Sequence, residues 1–310
     1  MLVGQHEQTI AVLAPGHSWW WQTLRPFERS ADMESKKKLE AQVVELVHSL
    51  PPMPQHVDSL LRCAAEGRYT QETLVDLAGQ DPGLCAELLH LANTCGKTRS
   101  RRIETVAEAV GSVGYETVVQ LVGVWYVKGI IQDQFSSLQH LDEYFQHSQD
   151  ISLGCGILCE VSGLEQYNRD VLSVAGLIHD IGRLVMLLAS DRTGAHLIGT
   201  PWDKMASMVH DERELLGMDH CIVGEQICRK WSFAPYMQEG VLRHHSPLIE
   251  DDLSYLGGII FMTHFVTCSD FTGEMLSRVL PVELCDGLGL GPDDIQKARE
   301  QYLAYRGSTS

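Results

Sequence analysis

Hydrophobic residues recur at spacings of three and four along nearly the whole chain after residue 34, while alternating strand-like runs are scarce. Spacings of three and four place apolar side chains on one face of a helix, whereas alternation of apolar and polar residues is typical of half-buried strands. We therefore expect an all-α fold, with further helices between the module boundary and about residue 280. The clearest predicted helices span residues 34–48, about 55–66, 70–78, 82–93, 103–110, about 115–131, and 293 to the polar tail at 307.

The strongest helix-start signal is Asp81-Pro82. Aspartate is a preferred N-cap residue, and proline suits the first helical position because its missing N–H would be unpaired there in any case. We expect Asp81 to cap this helix and Leu84, Leu88 and Leu91 to pack inward. The helix is therefore interpreted as scaffold and not as part of a functional site.

Breaks in the helical pattern divide the chain into four parts. Residues 1–33 lack the helical spacing and form a lead segment. Residues 34–135 form an N-terminal helical subdomain, and the connection near 133–140 separates it from a second helical subdomain at 136–280. Residues 281–310 hold a C-terminal helix and tail. The lead segment contains three adjacent tryptophans at 19–21, which either pack on the body of the protein or form a contact surface for a partner chain.

His179-Asp180 is the most informative dipeptide, because it interrupts the apolar stretch 171–189. That stretch predicts a buried helix, and a buried imidazole beside a buried carboxylate is costly unless both are satisfied. A divalent cation satisfies both, since it binds the neutral imidazole and offsets the carboxylate charge. The alternative is a histidine bonded to a backbone carbonyl and an aspartate that acts as a local cap.

Other metal-ligating side chains accompany this pair in the second half of the chain. A mixed set of imidazole and carboxylate donors suits iron, manganese or zinc, and its size is sufficient for one or two divalent transition-metal ions, with iron or manganese favoured. The candidate metal ligands are Glu143, His147, His179, Asp180, His220, His244, His245 and Asp270.

Each further candidate has a simpler alternative. Glu143 lies four residues before His147 on one helix face, where a glutamate is usually solvated. His220 could serve as a helix cap. His244 and His245 diverge by about 100° if they share a helix, so both bind metal only if they face different ions.

Four further histidines are not expected to bind metal. His210, in a second His-Asp dipeptide, has polar neighbours and is predicted to be exposed. His264 is predicted to pack in the core. His48 and His90 lie in the N-terminal subdomain without a carboxylate cluster and have no predicted role.

Composition narrows the function. There are 24 Lys and Arg against 41 Asp and Glu, for a formal charge of −17, and such a field repels phosphate backbones. We therefore expect no nucleic-acid partner, although a bound cation would still admit a small phosphate-containing ligand. The nine cysteines show no Cys-x-x-Cys pairing, which favours free thiols in a reducing compartment. No membrane-spanning or secretory segment is predicted, so a cytoplasmic location is expected.

The motifs together resemble the HD superfamily of metal-dependent phosphohydrolases, and most closely its HDOD branch of bacterial signalling proteins. The resemblance covers about residues 39–275 and implies an all-helical fold in which an N-terminal helical subdomain precedes an HD-like metal-binding subdomain. It also implies a regulatory role with a protein partner. The matching motifs are Leu50-Pro-Pro-Met-Pro54, Asp81-Pro82-x-Leu84, Leu88-Leu-x-x-Ala-Asn93, Ala109 with Val113-Gly114, Gly176-Leu-Ile-His-Asp-Ile-Gly182, Gly217-Met-Asp-His220, Val223-Gly224, Trp231 and Arg243-His-His-Ser-Pro247.

The related HD-GYP phosphodiesterases follow the double histidine with a glutamate and a Gly-Tyr-Pro loop, whereas this chain continues as Ser246-Pro-Leu-Ile-Glu250. Those enzymes also have a lysine where this chain has Arg183, whose guanidinium is suited to holding phosphate. Two functions therefore stay open. One is a regulatory HDOD module that binds transition metal. The other is a metal-dependent phosphohydrolase, with Asp180 and Arg183 as its catalytic residues.

Overall fold

Helices make up nearly all of the described structure, which confirms the predicted all-α class. The computed structural model describes residues 33–55, 57–58, 70–80, 82–94, 103–138, 141–164, 169–193, 205–250, 252–268 and 280–308. The lead segment with its tryptophans, the predicted cap Asp81 and the predicted ligand Asp270 lie outside these residues.

Fourteen helices fall within the described residues. The first five are α1 Met33–Ser49, α2 Gln71–Gln80, α3 Pro82–Thr94, α4 Val106–Val113 and α5 Tyr115–Gln134. The remaining nine are α6 Leu141–Ser162, α7 Arg169–Ile178, α8 Ile181–Thr193, α9 Met205–Leu216, α10 His220–Lys230, α11 Pro235–Arg243, α12 Tyr255–Thr267, α13 Val282–Leu288 and α14 Pro292–Ser308.

The start of α4 shows how local chemistry sets a helix boundary. Thr105 accepts a hydrogen bond from the backbone N–H of Glu108, and the Glu108 carboxylate accepts the N–H of Thr105, which together form a capping box. Just before it, Asn93 accepts the N–H of Ile103 and donates to its carbonyl. These bonds hold Ile103 outside the helix, so α4 begins three residues later than the hydrophobic spacing predicts.

Helices α2 to α5 pack on one another, but α1 packs on α8, α9 and α10. Side-chain hydrogen bonds tie α1 and the segment that follows it to the end of α10. Lys230 donates to the carbonyls of Val47 and His48, and the indole N–H of Trp231 donates to Pro51. Helix α1 therefore packs against helices of the second half of the chain, although the sequence analysis placed it in the N-terminal subdomain.

The apolar stretch 171–193 is long and hydrophobic enough to cross a membrane, but 83% of its 18-residue window is buried within the fold. The prediction of one continuous helix there is wrong. Helix α7 ends at Ile178, His179 and Asp180 form a turn, and α8 begins at Ile181. Both side chains of this turn are buried in the core.

Helices α6, α7 and α12 pack together around this turn, and α14 packs on α6 and α12. Buried Arg299 of α14 donates to the carbonyls of Phe265, Val266 and Cys268 at the end of α12. The second half also holds a two-stranded antiparallel hairpin, β1 Leu248–Ile249 with β2 Asp252–Leu253, which the sequence pattern does not predict.

Candidate metal centre

Six histidines and one aspartate meet where four helices and the α7–α8 turn converge. His147 comes from α6 and His264 from α12, while His179 and Asp180 occupy the turn. The remaining members come from helix termini: His220 is the first residue of α10, and His244 and His245 follow the end of α11. His179, His220 and His244 are 0% exposed, and Asp180 is 1% exposed.

The Asp180 carboxylate lies between two pairs of histidines. Its Oδ2 atom is 3.7 Å from Nε2 of His147 and 3.6 Å from Nε2 of His179. Its Oδ1 atom is 3.2 Å from Nε2 of His220 and 3.3 Å from Nε2 of His244. Each carboxylate oxygen thus forms a triangle of possible ligand atoms with one histidine pair, and the aspartate joins the two triangles.

Hydrogen bonds from Nδ1 to backbone carbonyl oxygens orient three of the imidazole rings. Nδ1 of His179, His244 and His264 lies within 2.9 Å of the carbonyl oxygens of Gly176, Val241 and Ile260 respectively. Because a carbonyl oxygen only accepts hydrogen bonds, each Nδ1 carries a proton, and Nε2 is the ring nitrogen that a metal ion could bind. Metal-binding histidines usually have this arrangement.

His220 is held by a carboxylate instead. Oε2 of Glu212 lies 2.6 Å from Nδ1 of His220 and accepts the backbone N–H of the same residue at 3.0 Å. Glu212 is buried, although His210 and Asp211 beside it are exposed as predicted. Asp219 caps α10 by accepting the N–H of Ile222, so His220 is not the cap that the sequence left open.

The triangle of His220, His244 and Asp180 fits a cation. The two Nε2 atoms are 3.3 Å apart, and Asp180 Oδ1 accepts no well-formed hydrogen bond among the described residues. Metal–nitrogen bonds of about 2.1 Å at tetrahedral or octahedral angles separate neighbouring ligand atoms by about 3.0–3.4 Å. Three converging acceptors at this spacing require positive charge between them, either protons or a metal ion.

Burial sets the protonation of the first triangle and of His264. It lowers the pKa of His147 to about 4, that of His264 to about 3, and that of His179 well below its ordinary value. These rings are therefore neutral near pH 7, the form that binds metal.

The second triangle titrates in the opposite direction. Burial lowers the pKa of His220, but Cys221, Glu212 and Asp180 together raise it well above its ordinary value. The pKa of His244 rises to about 9, because Cys221 and Asp180 outweigh its burial. Without a metal ion, protons supply the positive charge here, and a divalent cation would displace them.

The cluster includes residues that the sequence analysis did not assign to it. His264 was expected only to pack in the core, yet its ring centroid lies 5.4 Å from that of His147 and 5.3 Å from that of His179. These three histidines form one group whose ligand atoms are close enough to hold a metal ion. The spacing of His264 on an apolar helix resembles that of a core residue, and only the packing of the neighbouring helices places it beside His147 and His179.

Two predicted residues do not lie in the described cluster. Glu143 is exposed on α6 and lines an open cleft between α5 and α6, and it belongs to none of the possible metal-binding groups among the described residues. Asp270 falls two residues beyond the described end of the α12 segment. His245 does join the cluster, with its ring centroid 4.3 Å from that of His244.

Arg183 is buried one helical turn beyond His179, and its backbone N–H donates to the carbonyl of Asp180. Burial lowers the pKa of its guanidinium, while the charges of Asp180 and Glu212 oppose that shift. The structure thus places a cationic side chain in the electrostatic field of the cluster.

A close backbone approach fixes the distance between the His-Asp turn and α10. A Cβ atom at Gly182 would lie 2.0 Å from the carbonyl oxygen of His220 and 2.5 Å from the nitrogen of Gly224. Only glycine fits this contact, which sets how far His220 stands from Asp180.

The fold and this cluster define the HD-like class of helical domains, and comparison with known proteins identifies the branch. The HDOD domain family matches residues 50–247. The chain belongs to the HDOD family, as the resemblance of its motifs indicated. A search of curated proteins finds no match.

Solved structures share the fold. A candidate phosphohydrolase from Shewanella amazonensis SB2B is 22% identical, with 86% of this chain and 95% of that chain covered and a TM-score of 0.59. An HDOD-domain protein of unknown function from Geobacter sulfurreducens is 19% identical, with 88% and 96% covered and a TM-score of 0.60. A candidate metal-dependent phosphohydrolase, also from Shewanella amazonensis SB2B, is 22% identical, with 87% and 100% covered and a TM-score of 0.59.

Proposed function

We propose that this HDOD protein is a signalling module whose output depends on divalent transition metal bound in the histidine cluster. The observation that carries the proposal is the position of Asp180, whose two carboxylate oxygens each face one pair of histidine Nε2 atoms. His147 and His179 would hold one ion, and His220 and His244 a second. Imidazole and carboxylate donors suit iron or manganese at the first position.

A regulatory role is favoured over catalysis because the loop after the double histidine differs from that of the active relatives. Ser246 and Pro247 lead directly into strand β1 of the β1–β2 hairpin, and no Gly-Tyr-Pro sequence follows. The partner we propose is a regulatory protein or a small phosphate-containing ligand in the cytoplasm, and neither nucleic acid nor membrane.

A phosphohydrolase is the second candidate, and buried Arg183 beside the cluster favours it. A pair of bound divalent cations supplies Lewis acidity and clamps the oxygens of a phosphate ester. Asp180 would bind both cations, one through each carboxylate oxygen. The Arg183 guanidinium would orient two phosphate oxygens. The solved structures named as candidate phosphohydrolases share only the fold with this chain, so the argument depends on these two residues.

The test is elemental analysis of protein purified without chelator, followed by turnover assays with linear and cyclic phosphodiesters. The regulatory proposal predicts bound metal, no turnover above a protein-free metal control, and altered hydrogen exchange outside the cluster when metal is removed. Turnover that disappears in His179→Ala, and falls in Arg183→Ala at constant metal content, would establish the hydrolase instead. Absence of metal from protein reconstituted with iron, manganese or zinc would refute both.

A further inference from the structure

We propose that the thiolate of Cys221 is a ligand of the second metal position, together with His220, His244 and His245. This inference rests on the proposed metal-binding function and adds a sulfur donor to a site that the sequence suggested was built from nitrogen and oxygen alone. It predicts that the two metal positions differ in chemistry, with the softer donor set on the α10–α11 side.

The four side chains present one ligand atom each within 4.8 Å of one another. Cys221 is 3% exposed and lies in the first turn of α10, directly after His220. Its Sγ atom is 3.6 Å from Nε2 of His220. A zinc–sulfur bond of about 2.3 Å and a zinc–nitrogen bond of about 2.1 Å at a tetrahedral angle place the two ligand atoms about 3.6 Å apart.

His245 supplies an independent observation. Its Nε2 atom is buried and has no hydrogen-bond partner among the described residues. Its ring centroid lies 4.9 Å from that of His220 and 4.3 Å from that of His244. A buried nitrogen without a partner costs free energy, and a metal ion between these rings would remove that cost. His244 and His245 would thus both face α10. Adjacent residues within a regular helix cannot do so, but α11 ends at Arg243, so the two histidines lie beyond the regular helix.

Cys228 is a buried cysteine on the same helix that, in the part of the chain that the structure describes, has no metal-ligating side chains grouped with it. It is 1% exposed, lies two turns beyond Cys221, and belongs to none of the possible metal-binding groups among the described residues. Its thiol is packed among core side chains. The two cysteines share a helix and a degree of burial, so Cys228 is the matched control for Cys221.

A thiolate with three imidazoles is a tetrahedral zinc-type donor set, and Asp180 Oδ1, 3.2 Å from Nε2 of His220, is available as a fifth ligand. Soft thiolate favours zinc or ferrous iron, whereas manganese and magnesium favour oxygen donors. The second position should therefore prefer zinc to manganese.

Cobalt(II) substitution of the full-length protein tests the assignment, because a thiolate–cobalt bond gives a near-ultraviolet charge-transfer band that imidazole and carboxylate ligands do not give. We expect the band in the wild type and in Cys228→Ser, and its loss in Cys221→Ser. We also expect Cys221→Ser to lower zinc affinity at least tenfold with little change in manganese affinity. X-ray absorption of the zinc-loaded wild type, which needs no variant, should show one sulfur neighbour per two zinc ions.

Cobalt bound without the band, or zinc surrounded only by nitrogen and oxygen, would overturn the Cys221 assignment and leave the proposed metal-binding function intact. Failure of the wild type to bind cobalt, zinc, iron or manganese would overturn both. A band that persists in Cys221→Ser and disappears in Cys228→Ser would identify Cys228 as the sulfur ligand. That result would also refute the inference.

Discussion

Glu212 holds His220 through two hydrogen bonds to one carboxylate oxygen, 2.6 Å from the ring Nδ1 and 3.0 Å from the backbone nitrogen. The pairing fixes the ring so that Nε2 faces Asp180. A carboxylate behind a metal-binding histidine also raises the basicity of the ring. If the proposed second metal position is occupied, Glu212 would be its positioning residue.

We predict that Glu212→Gln lowers metal affinity at the second position by about ten- to a hundred-fold, because the neutral amide weakens both functions of the carboxylate. Isothermal titration of chelator-treated protein with zinc measures the change. Glu214→Gln on the same helix is the control, since Glu214 is exposed. Equal affinities in wild type and Glu212→Gln would show that the pairing only packs the core.

The bridging position of Asp180 predicts an unequal pattern of metal loss. Asp180→Asn should lower the affinity at both positions, and more at the first, since the carboxylate faces both histidine pairs but the second position has four other possible ligands. His179→Ala should remove most of the first ion, and His244→Ala should reduce the stoichiometry from two to one. Elemental analysis of the purified variants gives these numbers. His48→Ala, at an exposed position of α1, should retain full occupancy. A wild-type stoichiometry of one, unchanged in His244→Ala, would favour a single-metal site.

The contact at Gly182 predicts a steric effect of a single methyl group. Gly182→Ala should destabilise the protein by about 1–3 kcal/mol or more, because a Cβ atom there cannot avoid the backbone of α10. Urea unfolding monitored by circular dichroism measures the loss. Gly129→Ala in α5 meets nothing within 4 Å and should instead stabilise by about 0.5–1 kcal/mol. Similar unfolding midpoints for the two variants would contradict the close approach of α8 to α10.

The histidine pKa values predict a stability maximum near pH 6.5 for the chelator-treated chain. The pKa of His147 falls from 6.5 to about 4 on folding, so the unfolded state binds more protons between these values and stability decreases as pH falls. That shift corresponds to about 3 kcal/mol. The pKa of His244 rises to about 9, so its contribution is present below pH 6.5 and is lost as pH rises toward 9.

Urea unfolding across pH 4–9 checks both arms of this profile. His147→Gln should make the decrease of stability below pH 6.5 less steep, since glutamine does not titrate while His179 and His264 still do, and it should leave the decrease above pH 6.5 in place. Stability that stays constant or increases between pH 6.5 and pH 4 in the chelator-treated wild type would contradict the assignment of a buried neutral imidazole at His147.

The sequence by itself determined the fold class, the family and most members of the cluster. The spacing of apolar residues is a local property, so it located α1, α2 and α5 within a few residues of their observed bounds. Histidines on otherwise apolar segments stand out because burying an imidazole is costly. His147, His179, His220 and the double histidine could therefore be selected without a structure, as could the motifs of the HDOD family.

Only the tertiary structure decided which side chains meet. The break at His179-Asp180 is not visible in an apolar run, because periodicity does not distinguish one helix from two that share a core. Local sequence places Glu212 in an exposed polar segment and His264 in ordinary core packing, and it does not single out Cys221 among the nine cysteines. The structure shows that Glu212 of α9 contacts His220 of α10, that Cys221 lies beside His244 and His245, and that His264 of α12 lies beside His147 and His179, more than 80 residues earlier in the chain. Ligand geometry is set by the packing of these helices, and local sequence contains no record of it.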